Sequence, residues 1–166
     1  MKRMRILLAL GAGVVGAAVL AACTHELATV SLNPQYRLGF DDKGETVALY
    51  YGVPNSDDLS LMLECPKGSG QIELTDTAHS RSTTAIVLTS AGQKTRVPVR
   101  YDAGGQDGSN DPQLVTGRLP LAAPALQAFR RSGVLEVADG HGRYVITADT
   151  RAKAALERFV AVCGKR

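Results

Sequence analysis

The 166-residue chain has no tryptophan, and only three phenylalanines and five tyrosines. Binding faces for sugars are usually built on large aromatic rings, so a dedicated glycan platform is not expected. Histidine and cysteine are as scarce, three of each. His25, His79 and His141 stand far apart, and the cysteines at 23, 65 and 163 have no ligand spacing. No metal centre is therefore expected, and no cofactor. A G-x-S-x-G elbow is also missing. Asp76, His79 and Ser80 lie in one loop stretch, but neighbours on a flexible segment are not a catalytic triad without a scaffold. The sequence reads as non-enzymatic.

What is present begins at the N-terminus. Lys2, Arg3 and Arg5 precede an apolar run, Ile6 to Ala22, that carries no charge and ends in small residues. Those are the parts of a secretory signal. The run is marginal as a permanent span, since a bilayer core is about 30 Å thick and a helix rises about 1.5 Å per residue. The four residues Leu20-Ala21-Ala22-Cys23 resemble the lipobox of bacterial lipoproteins. That resemblance implies diacylglycerol on the Cys23 sulfur, cleavage before Cys23, and acylation of the new amino group. Two or three acyl chains anchor stably where one would be reversible. It also implies a periplasm-facing protein of the bacterial envelope. Thr24 stands where an aspartate signals inner-membrane retention in some lipoproteins, which favours the outer membrane.

Gly11-Ala12-Gly13-Val14-Val15-Gly16 matches the G-x-G-x-x-G dinucleotide fingerprint. The match needs a preceding strand, a following helix and an acidic residue about 20 positions on. A signal core supplies none of these. Removing residues 1–22 takes three basic residues and no acidic one, so 19 Lys+Arg against 16 Asp+Glu becomes 16 against 16. Affinity for nucleic acid comes largely from neutralised phosphates, so a near-neutral, exported domain argues against that class.

With Cys23 assigned to lipid, Cys65 and Cys163 remain as an even pair in an oxidising compartment. Alternation in Leu59–Cys65 puts Leu59, Leu61, Leu63 and Cys65 on one strand face. Ala152, Ala155, Leu156, Phe159, Val160 and Cys163 make one stripe of a closing helix, with Asp149 or Thr150 as cap and Gly164 at its end. Both cysteines thus face inward, and a Cys65–Cys163 disulfide is expected.

The organisation expected is a removed signal (1–22), a lipid-anchored tether (23–35) and one β-rich periplasmic domain (36–166). Strand signals fall at 36–40, 45–51, 59–65, 71–75, 83–89, 94–101, 114–119, 134–138 and 143–148, with a short helix at 122–132. The class is mainly β: an antiparallel sandwich or flattened barrel of about eight to nine short strands with two short helices, the C-terminal one disulfide-linked to a strand. Pro98 cannot donate a ladder bond, which places its strand at an edge or bulge.

Candidate contact residues cluster at Tyr50-Tyr51-Gly52-Val53-Pro54-Asn55-Ser56-Asp57-Asp58. The two tyrosines point to opposite faces of a strand, beside a Pro-Asn-Ser-Asp-Asp turn. Tyr50, Tyr51, Pro54, Asn55, Asp57 and Asp58 suit contact with a protein. Arg96 and Arg100, outward on their strand, suit an anionic partner or simply keep an edge from pairing. The loop 102–113 gathers Asp102, Asp107, Asn110 and Asp111 without the spacing of a calcium loop. The expected function is binding of another envelope protein, as assembly accessory, adaptor or inhibitor. The alternative is a binder of a small ligand or peptidoglycan fragment, with an envelope hydrolase behind both.

Overall fold

The computed structural model describes residues 27–78, 82–102 and 114–164. The strands are β1 (Ala28–Thr29), β2 (Arg37–Lys43), β3 (Thr46–Gly52), β4 (Leu59–Pro66), β5 (Gln71–Asp76), β6 (Ala85–Ser90) and β7 (Gln93–Asp102). After them come β8 (Leu114–Pro120), α1 (Pro124–Ser132), β9 (Val134–Ala138), β10 (Gly142–Thr147) and α2 (Thr150–Gly164). All ten strands belong to one sheet, in the order β1-β10-β9-β6-β7-β8-β5-β4-β3-β2. Every neighbouring pair is antiparallel except β1 with β10.

The sheet curls into half a barrel. Four strands separate β10 from β5, about 24 Å on a flat sheet at ~4.8 Å per step. Yet the Tyr144 hydroxyl on β10 donates to the Asp76 carboxylate on β5 at 2.5 Å. Only a curled sheet brings them together. The protein is mainly β with two helices, as its alternation predicts. Of the two expected forms, the curled single sheet answers to the flattened barrel and not to two packed sheets. The concave face carries the core, with Leu49, Leu63, Ile72, Leu74, Ile86, Leu88, Leu135 and Ile146 all buried.

Both helices contribute to that core and lie toward the same end. Pro124 occupies the first turn of α1, and Gly133 closes it at φ 74°, its amide donating to the Phe129 carbonyl. Ala125, Leu126, Ala128 and Phe129 are its buried residues. In α2 the Asp149 carboxylate caps the Ala152 amide at 2.8 Å. Ala152, Leu156, Phe159 and Cys163 are buried as the stripe predicts, while Ala155 and Val160 are half-buried. The Cys65–Cys163 disulfide ties α2 to β4 with Cα atoms 5.7 Å apart.

Three local features differ from the expectation. Residues 28–30 lie against the domain: β1 pairs with β10, and the Val30 amide donates to the Arg143 carbonyl at 2.8 Å. The expected tether thus includes a short strand laid on the sheet. Pro98 is in a central strand, not at an edge. The Val99 amide points to β6, so the proline nitrogen faces β8, and the β7–β8 ladder starts one residue later, at Val99. The missing donor falls where β7 has not yet met its second partner. Finally, the β3–β4 register shifts between Tyr51 and Gly52, which buries Ser60 and leaves Leu59 half-buried.

Candidate functional site

A half-barrel has two free sides, and here they run along one seam. β2 ends the sheet order and, among the described strands, pairs only with β3. At the other end, β1 covers β10 only at Gly142 and Arg143. Beyond that, no described strand pairs with the outer side of β10. Between β2–β3, β10 and the first turns of α2 lies an open groove of about 750 Å³. Its floor includes Ala152, Ala154 and Ala155, whose short side chains leave the space unfilled. Val145, half exposed, lies on its β10 wall.

The polar lining is mostly basic. Arg37, Arg151 and Arg158 line it against one carboxylate, Asp149, which already caps α2. The Arg37 guanidinium donates to the carbonyls of Pro34 and Tyr36. Arg158 lies over the Phe40 ring, 4.8 Å from its centroid. At the opposite mouth Tyr36 and Tyr51 meet edge to face, centroids 5.5 Å apart. The Tyr36 hydroxyl donates to the Asp58 carboxylate at 2.5 Å. Burial and that bond push its pKa up to about 12, because both disfavour the phenolate.

Tyr50 and Tyr51 do point to opposite faces. Tyr51 faces the seam, while Tyr50 lies across Gly39 on β2, its cross-strand partner, and borders the seam as well. The outer side of Tyr50 borders a second, shallower groove of about 870 Å³ that includes Asn55, Asp57, Asp41 and Glu64. Pro54 lines the seam, and Asp58 braces its mouth through Tyr36 and Asn33. The expected cluster 50–58 therefore divides between two grooves. Asn55 takes the left-handed conformation, φ 61°, in the turn between β3 and β4.

The remaining candidates lie elsewhere. Arg96 and Arg100 are exposed on β7, which sits mid-sheet, so they guard no edge. Arg100 borders a shallow depression with Arg118 and Glu73. Ser82 and His141 share a hydrogen bond of 3.0 Å at an exposed position. The Asp139 carboxylate shapes the β9–β10 turn by accepting the His141 and Gly142 amides, each at 2.7 Å, and the Thr83 hydroxyl. Cys23, His25, His79, Ser80, Asp107, Asn110 and Asp111 lie outside the described residues, as does the side chain of Asp102. Among the described residues, no group of histidine, cysteine or acidic side chains is placed to hold a metal ion. Nor is any described helix long and apolar enough to cross a membrane.

Sequence reasoning missed a buried polar pair. Asp76 is fully buried at the end of β5, accepting the Ala78 amide at 2.9 Å and the Tyr144 hydroxyl. Burial and the Asp76 carboxylate raise the Tyr144 pKa, so it stays a neutral donor. The signal was available in the alternation of β5, where Ile72, Leu74 and Asp76 share the inward face.

No protein-family model matches the chain, and no curated protein or solved structure matches it significantly.

Proposed function

We propose that this is a non-enzymatic lipoprotein of the bacterial envelope, held by lipid on Cys23 and facing the periplasm, whose disulfide-stapled domain binds another envelope protein. It acts as an assembly accessory, adaptor or inhibitor, at the outer membrane in preference to the inner. The observation that carries this reading is the seam: a groove open along its length, bounded by a strand edge and lined by tyrosine and arginine. Those residue types are enriched at protein interfaces. Such a trough suits a segment of polypeptide better than a small molecule, which is usually held in a more enclosed pocket.

The experiment is to crosslink the lipidated protein in its own envelope, purify it, and identify what is joined to it. One abundant protein in fixed stoichiometry supports the reading. Recovery of the protein alone, with a small molecule or glycan bound by mass, replaces it with the ligand-binding alternative.

A further inference from the structure

We propose that the seam receives an extended, acidic segment of the partner protein, which adds to the outer edge of β2 as an eleventh strand. The inference rests on the protein-binding reading above and names the partner's chemistry and its mode of docking.

Four observations converge on it. β2 pairs with β3 in unbroken antiparallel register over all seven residues, Arg37↔Gly52 to Lys43↔Thr46. Its backbone is thus already held as a strand, and alternate amides and carbonyls point away from β3 toward the seam. Adding a strand to such an edge costs the protein no backbone rearrangement, and the new ladder supplies main-chain hydrogen bonds. On the facing wall, β10 beyond Arg143 has no described strand beside it. The alanine floor from α2 leaves room for the added side chains.

Charge selects the occupant. Arg37, Arg151 and Arg158 face the groove, and its one carboxylate, Asp149, is engaged at the α2 cap. The acids farther along β2 are neutralised locally, Asp41 by Lys43 and Asp42 by Lys67, each at 2.6 Å. The field inside the groove is therefore positive, and an extended segment carrying Glu or Asp on alternate positions complements it. The outer groove is different: its Asp41 is balanced by Lys43, and Asp57 and Glu64 leave it net negative.

The test uses the full-length lipidated protein in its own envelope, with a photo-crosslinking residue at Thr147 or Ala154 in the seam. Asn55 in the outer groove and Arg96 on the far strands serve as comparison positions. The expected result is trapping of one protein from the seam positions, with the joined peptide mapping to a segment of net negative charge. A synthetic copy of that segment, added to the purified lipidated protein, should slow amide exchange in β2 at least several-fold. Arg151→Glu should weaken its binding several-fold, with the difference shrinking at high salt.

Trapping of a protein from Asn55 or Arg96 with a silent seam overturns the docking mode and leaves the protein-binding reading standing. So does a seam-trapped segment that is basic or leaves β2 exchange unchanged. A second copy of this chain or a lipid in the seam overturns it as well. No protein trapped from any position removes both readings.

Discussion

Gly39 and Gly117 are both glycines in strands, and they tolerate a methyl group differently. A Cβ at Gly39 would lie 2.3 Å from the Tyr50 ring, the far end of a side chain that can swing aside. At Gly117 it would lie 2.7 Å from the Pro98 carbonyl oxygen, backbone of the adjacent strand. Gly39→Ala should cost about 1 kcal/mol and Gly117→Ala about 2–3 kcal/mol in urea unfolding. In a Tyr50→Ala background the Gly39→Ala change should turn mildly stabilising, because the clash is gone and glycine's extra backbone entropy in the unfolded chain remains. An unchanged cost in that background would mean Tyr50 does not occupy the space above Gly39. Tyr36 gives a second test at this scale. Its folded pKa of about 12 lies above the usual value near 10, so the neutral phenol favours the fold. That contribution is complete below pH 10 and is lost as pH rises toward 12. Ultraviolet titration should show late-ionising tyrosines, since burial raises Tyr51 and Tyr144 as well. Tyr36→Phe should remove one of them near pH 12, with its stability falling less steeply across that window.

At the scale of elements, the disulfide is the strongest single tie. It joins residues 98 apart in sequence, so its loss should cost on the order of 4–5 kcal/mol in the chain-entropy model. Replacing Cys65 and Cys163 by serine should lower the unfolding free energy by that amount, and with it the midpoint, and a reducing agent should do the same to the unaltered protein. A midpoint indifferent to both would mean that core packing alone holds α2. α2 is fastened at its other end by the Asp149 cap and on its side by Arg130 of α1, which grips Glu157 with two nitrogens at 2.6–2.9 Å. Period-two alternation makes nine strands legible, because a curled sheet buries one face and leaves the other wet, and apolar stripes of helical period do the same for both helices. β1 was not legible: two residues cannot show a period, and only its partner β10 makes it a strand.

For the whole molecule, the described residues divide into a scaffold end and a loop end. The disulfide, both helices and the turn at Pro66–Gly70 gather at one end, with the Gly70 amide donating to the Cys163 carbonyl. The turn at 53–58, residues 77–78 and 82–84, and the turn at 139–141 gather at the other, around Asp76, Asp139 and the mouth of the seam. If Cys23 carries the lipid, Cys23→Ala should leave the protein unprocessed or release it to the soluble fraction of the envelope. Membrane attachment unchanged with an intact N-terminus would instead favour an uncleaved anchor.

The pattern of residues determined the mainly β class, the positions of most elements, the C-terminal ends of both helices and the pairing of Cys65 with Cys163. Each of these follows from local periodicity, capping chemistry or the inward-facing positions of the two cysteines. The tertiary structure alone decided which strands are neighbours. β6 pairs with β9 and β5 with β8 across long stretches of chain, and no local period encodes such a choice. The same non-local pairing put Pro98 in mid-sheet and Asp76 under Tyr144. It also left β2 without a second partner among the described strands along the seam, since a strand's edge is free or covered according to what the rest of the chain brings beside it.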